Sequence, residues 1–168
     1  MKVITAGEST PVAVAEYAGE VRARVESRLG FRVAGKVIRR QAEVGQRVRA
    51  GEVLAQLDPA DYALATQAAR AQVRSAQTNL DLTAADFKRY KDLRQQDFIS
   101  GAELERREAA LKAAQAQFDQ AQAQLAAQSH QEAYTALVAD VSGVVTAVEV
   151  EAGQVVAAGV PVSAPGMV

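Results

Sequence analysis

The sequence predicts an α+β fold in which a small two-sheet β-domain is split by a long antiparallel α-helical coiled-coil hairpin. Three observations carry this. A Val- and Gly-rich block recurs at a constant offset of 108 residues, a heptad pattern fills the stretch between its two copies, and a helix-capping sequence interrupts that stretch midway.

In the first copy, residues 28–58, short β-branched runs are broken by glycines, as in Val33-Ala34-Gly35-Lys36-Val37-Ile38. Gly35, Gly45 and Gly51 align with Gly143, Gly153 and Gly159 of the second copy, residues 137–163. Val37, Gln46, Val48, Ala50 and Leu54 likewise meet Val145, Gln154, Val156, Ala158 and Val162. Each copy can bury only one apolar face, so the two are expected to close on each other as a sandwich, with the glycines marking its turns.

Between the copies, residues 59–136 read as two helices. Thr66, Ala69, Val73, Ala76, Leu80, Thr83, Phe87 and Tyr90 step by three and four, starting from Tyr62, which is a coiled-coil seam. Leu104, Leu111, Phe118 and Leu125 repeat at seven in the second helix, with Ala114 and Ala121 between them. Asp58-Pro59 starts the first helix; Ser100 with Glu103 forms a capping box that starts the second after a turn near 97–100. At about 1.5 Å per residue each arm reaches roughly 50 Å.

Composition removes most other chemistry. The chain has 168 residues with 19 basic and 20 acidic side chains, so it carries no basic field suited to nucleic acid. With no cysteine and one histidine, His130, thiolate metal sites, thiol nucleophiles and histidine clusters are excluded within one chain. No phosphate-binding glycine loop occurs, and no run of apolar residues approaches a membrane span. The expectation is a protein that is not an enzyme and holds no metal or cofactor. Glu103, Glu105, Arg106, Arg107 and Glu108 read as surface ion pairs, and Asp86, Lys88 and Lys91 as a solvated face.

Half-motif, helical hairpin, half-motif resembles the periplasmic adaptor proteins, or membrane fusion proteins, of bacterial tripartite efflux pumps, over about residues 20–163. In that family the sandwich is a lipoyl-like domain, also called a barrel-sandwich hybrid. Arg89, Leu93 and Ser100 match the family's Arg-x3-Leu-x6-Ser pattern at the hairpin tip, which by resemblance docks onto a TolC-type outer-membrane channel. Leu93 lies off the seam and is expected to face a partner. Ser100 has the alternative job of N-cap, and Phe98 and Ile99 that of closing the turn over the seam. The lipoyl and biotinyl carriers share the half-motif, but no lysine lies between Lys36 and Lys88, where their acylated lysine would stand.

The resemblance further implies an inner-membrane transporter as partner, RND-type ahead of ABC-type or type I secretion, and a homo-oligomer, a hexamer in the assembled pump. It implies a periplasmic location with an upstream anchor, and makes Gln46 and Gln154 candidates for lining an export duct. Residues 1–27 would be the remnant of a β-barrel strand, at Thr10 to Gly19, with a lead-in from Val21 to Ser27. Residues 164–168 read as a tail, and the chain as an excised portion of a longer adaptor. Met1 and Met167 alone do not suit a copper or silver adaptor. The rival from another class is a structural coiled-coil oligomerisation module.

Overall fold

The computed structural model describes residue 16 and residues 25–167. The expected barrel strand at 10–19, apart from Glu16, and the lead-in at 21–24 lie outside the described residues.

Among the described residues, nine strands form two antiparallel sheets. In the first, β1 (Val25–Glu26) and β2 (Leu29–Gly30) both pair with β9 (Pro161–Met167), followed by β7 (Gly143–Val148) and β4 (Arg47–Val48). The second runs β6 (Ala136–Val138), β5 (Val53–Leu57), β3 (Gly35–Arg40) and β8 (Val155–Val156). The 108-residue offset maps β3, β4 and β5 onto β7, β8 and β9.

The two copies exchange strands. β3 pairs with β8 of the other copy, and β4 with β7. The connecting hydrogen bonds repeat with the same symmetry: Gly45 N donates to Val145 O and Gly153 N to Val37 O, at 2.8 and 2.7 Å. Val37 N donates to Gln154 O and Val145 N to Gln46 O. Val37, Val145 and Leu57 are fully buried, with Phe31 and Leu54 beside them in one apolar core.

Four of the six predicted turn glycines, at 45, 51, 153 and 159, sit at positive φ between 82° and 93°. Gly35 and Gly143 do not sit in turns; they open β3 and β7. At Gly35 the reason is packing, since a Cβ there would come within 3.3 Å of Leu57 Cδ1. The residues expected as a tail also differ, because β9 continues through Met167 and takes Val25 and Glu26 as partners.

α1 (Ala60–Gln95) and α2 (Gly101–Ala133) form the hairpin, of 36 and 33 residues. The predicted seam is the buried line: Thr66, Ala69 and Ala76 of α1 close on Ala114 and Ala121 of α2. Small side chains at these places let the axes approach closely. Pro59 is the N-cap of α1, and Asp58 just before it accepts the Ala60 N–H at 3.0 Å. The hairpin is tied to the sandwich where it leaves it. Tyr62 Oη donates to Ala34 O at 2.8 Å, Leu57 N to Thr135 O at 2.8 Å, and the Arg32 guanidinium lies 3.9 Å over the Tyr134 ring.

Gly45→Ala and Gly153→Ala should each lower the unfolding free energy by about 1–2 kcal/mol, the cost of a left-handed L-residue. Space is not the issue, since a Cβ at either meets nothing within 4 Å. Leu57→Ala should cost about 2–5 kcal/mol through the cavity it leaves. Urea denaturation of the three variants measures both effects.

Candidate functional site

The site is the hairpin tip. α1 ends in a six-residue closure in which Phe98 N donates to Leu93 O at 3.1 Å and Asp97 N to Arg94 O at 3.0 Å. This is a Schellman arrangement, whose fifth position needs a left-handed residue just past the helix. Asp97 supplies it at φ 59°, where glycine is usual. Arg94 fastens the turn by donating to Asp97 Oδ1 at 3.0 Å and to Ile99 O at 3.3 Å.

Ser100 then starts α2. Its backbone is extended and its Oγ accepts the Glu103 N–H at 3.2 Å, as an N-cap requires. The Glu103 carboxylate turns instead to Arg106 and Arg107, at 3.4 and 2.8 Å.

The three motif residues do not converge on one spot. Arg89 is exposed and paired with Asp86 at 2.7 Å, one turn back along α1. Ser100 is occupied as a cap. Leu93, expected to face a partner, is half-buried, and its carbonyl accepts the Phe98 N–H. An apolar side chain that does face outward is Phe98, 72% exposed, so it does not take the alternative job of closing over the seam. The Schellman turn carries Phe98 beyond the last turn of α1 and leaves its ring uncovered.

Arg107 makes the expected i,i+4 pair with Glu103 and a further contact that the spacing did not show. It reaches across the seam, donating from Nη2 to Tyr90 Oη at 3.2 Å with its guanidinium 4.3 Å from the Tyr90 ring, while Nε donates to Glu103 at 3.0 Å. The bond to Glu103 holds the guanidinium above its ordinary pKa. One cation thereby joins both helices just below the tip. The signal was present in the sequence as a tyrosine on the seam level with an arginine that follows Glu103 by four. The pairing Lys112 ammonium, at 2.7 Å, holds the Glu108 carboxyl below its ordinary range. That pairing contributes above the ordinary glutamate pKa and is lost as pH falls through the lowered one.

Gln46 and Gln154 occupy equivalent turns and do equivalent local work. Their Oε1 atoms accept the N–H of Glu43 at 3.0 Å and of Glu151 at 3.2 Å. His130 is exposed near the end of α2, with its ring stacked 6.2 Å from Tyr134. Among the described residues no helix is long and apolar enough to cross a membrane.

Comparison with known proteins gives a consistent picture. Residues 20–164 match the family model for the barrel-sandwich hybrid domain of RND membrane fusion proteins. The multidrug resistance protein MdtA of Salmonella typhimurium strain LT2 is 29% identical over 153 residues, covering 89% of this chain and 37% of that protein. This chain therefore spans little more than a third of that relative. Among solved structures, the membrane fusion protein Spr0693 of Streptococcus pneumoniae R6 has a TM-score of 0.64 at 17% identity, over 86% of this chain and 60% of its own. ZneB of Cupriavidus metallidurans has a TM-score of 0.62 at 17% identity, over 87% and 63%. These two likenesses concern the fold.

Ser100→Ala should lower hairpin stability by about 1 kcal/mol through the lost cap, whereas Ser100→Asp should retain it. Thermal melts followed by far-UV circular dichroism compare the two directly.

Proposed function

Because this chain belongs to the RND membrane fusion protein family, we propose that it is the hairpin and lipoyl-like portion of a periplasmic adaptor linking an inner-membrane exporter to a TolC-type outer-membrane channel. The observation that carries this reading is the tip. An arm of roughly 50 Å ends in a turn closed by four backbone and side-chain hydrogen bonds, and that turn presents an uncovered aromatic, Phe98, beside the Arg94 that fastens it, while Arg89 stands exposed farther down α1. An exposed apolar anchor with a neighbouring cation on a preorganised scaffold is the chemistry of a docking point.

The work assigned to the chain is mechanical. The sandwiches pack side by side as a ring, a hexamer in the assembled pump, around a duct through which the exporter's substrate passes. Weak contacts repeated around a ring add up, so dilute chains need not associate strongly. The exporter, RND-type by family, binds through parts of the adaptor other than this chain, and the adaptor stands in the periplasm, held at the inner membrane by an anchor. Gln46 and Gln154 remain the duct-lining candidates, with the amide NH2 as the group each could offer there.

Site-specific photocrosslinkers at Phe98 and Gln96, in an adaptor carrying this chain and in cells with a TolC-type channel, test the reading. The expected result is a crosslink to the channel that falls with Arg89→Glu or Phe98→Ser, together with lost export. A tip that crosslinks only to itself, with export retained in both variants, supports the structural-module reading instead.

A further inference from the structure

The two sheets of the sandwich leave one side unjoined. β2 lies at the border of the first sheet and β6 at that of the second, and among the described residues no backbone hydrogen bond connects them. The two strands are a repeat pair: Leu29 falls 108 residues before Leu137, and Gly159 N donates to Phe31 O as Gly51 N does to Ala139 O. Side chains staple them at both ends. Ser27 Oγ donates to Asp140 Oδ2 at 2.6 Å, and the Arg32 guanidinium lies 3.9 Å from the centre of the Tyr134 ring.

Between the staples is a cleft of about 230 Å3. Phe31 and Leu137, both core residues, line it from within, and Leu29, Ala136 and Val138 line it from the two strands. Val138 is 44% exposed, so the cleft reaches solvent.

The ends of the cleft are equivalent under the repeat but opposite in charge, since Arg32 stands where the other half has Asp140. Asp140 is engaged by Ser27, whereas among the described residues no carboxylate pairs with Arg32. A guanidinium held over a ring still presents its N–H groups at the edge, in a fork that matches a carboxylate. A second donor stands near it. Leu57 N donates to Thr135 O, which makes Gln56 and Ala136 a non-hydrogen-bonded pair and turns the Ala136 N–H away from β5. Ala136 lines the cleft two residues from Tyr134.

Apolar walls with an unpaired cation at one end and an anion at the other define an occupant with a direction. Its carboxylate lies at Arg32 and its apolar tail runs toward Leu29 and Val138. A methylene takes about the volume of one liquid water, ~30 Å3, so the cleft holds a chain of about eight carbons.

We propose that this cleft binds a free medium-chain monocarboxylate, with Arg32 and the Ala136 N–H on its head and Leu29, Phe31, Leu137 and Val138 around its chain. Tyr134 is the C-cap of α2, so the occupant touches the sandwich and the base of the hairpin at once. The site lies apart from the tip and stands whether or not the chain works as an adaptor.

Titration of the purified chain with octanoate, followed by methyl NMR, tests the site. Saturable shifts are expected at the methyls of Leu29 and Val138, with none at Val48 on β4, the opposite border of the first sheet. Each methylene added from butanoate to octanoate should tighten binding about three- to fourfold, and the gain should stop beyond the length that the cleft holds. Octyltrimethylammonium should bind about tenfold more weakly than octanoate, and Arg32→Gln should weaken octanoate by about the same factor. Arg32→Lys should keep the preference for the anion, and Val138→Glu, at an exposed position, should weaken octanoate by repulsion. Far-UV circular dichroism establishes that each variant is folded. The proposal is overturned by the absence of saturable shifts at millimolar octanoate, by shifts confined to the tip around Phe98, by equal binding of the cationic probe, or by indifference to Arg32→Gln.

Discussion

The exchange of strands between the two half-motifs is the constraint on which the rest of the structure depends. Neither half has a sheet of its own: β3 finds one of its partners in β8, and β4 its partner in β7. Val37 and Val145, equivalent under the repeat, are both at zero exposure in the shared core. Removing either half would leave the other with unpaired strand edges and an open apolar face. The two halves must therefore fold together, although some 80 residues of hairpin separate them.

That constraint also explains why an insertion of such length is tolerated. The hairpin leaves from β5 and returns to β6, which are antiparallel neighbours in one sheet. Leu57 and Thr135 are already joined by a backbone hydrogen bond where the helices begin, so the sandwich sets the two arms side by side at no further cost in loop closure. From there the seam of Thr66, Ala69, Ala76, Ala114 and Ala121 keeps them together, and Arg107 on Tyr90 fixes their register near the far end. The tip inherits its position from bonds made at the base and along the shaft.

Much of this was legible in the sequence because it is local or periodic. The repeat, the seam and the Ser100 cap each rest on spacing, and spacing survives without coordinates. The direction of Phe98 was not legible, because it turns on whether Asp97 adopts a left-handed conformation, a choice made by the hydrogen bonds of Leu93 and Arg94 with the turn. Arg107 was hidden for a different reason. Its spacing from Glu103 suits an ordinary surface pair, and only the packing of the two helices brings Tyr90 within reach. The continuation of β9 through Met167 depends on pairing with Val25 and Glu26, more than 130 residues away, which no local pattern records.

The repeat separates what the fold requires from what its surroundings select. Positions that differ between the halves are as informative as those that agree. The core pairs Val37 with Val145 and Val48 with Val156, and the turn glycines at 45 and 153 share both φ and hydrogen bonding, because each half must make the same turn and bury the same face. On the outer surfaces the correspondence fails. Ile38 and Val155 are exposed apolar residues on the sheet built around β3, where the equivalent positions on the other sheet are Thr146 and Arg47. Folding alone asks nothing of either outer face, so one mechanism cannot account for apolar residues on one and polar residues on the other. The sandwich is two-fold in its core and one-sided on its surface.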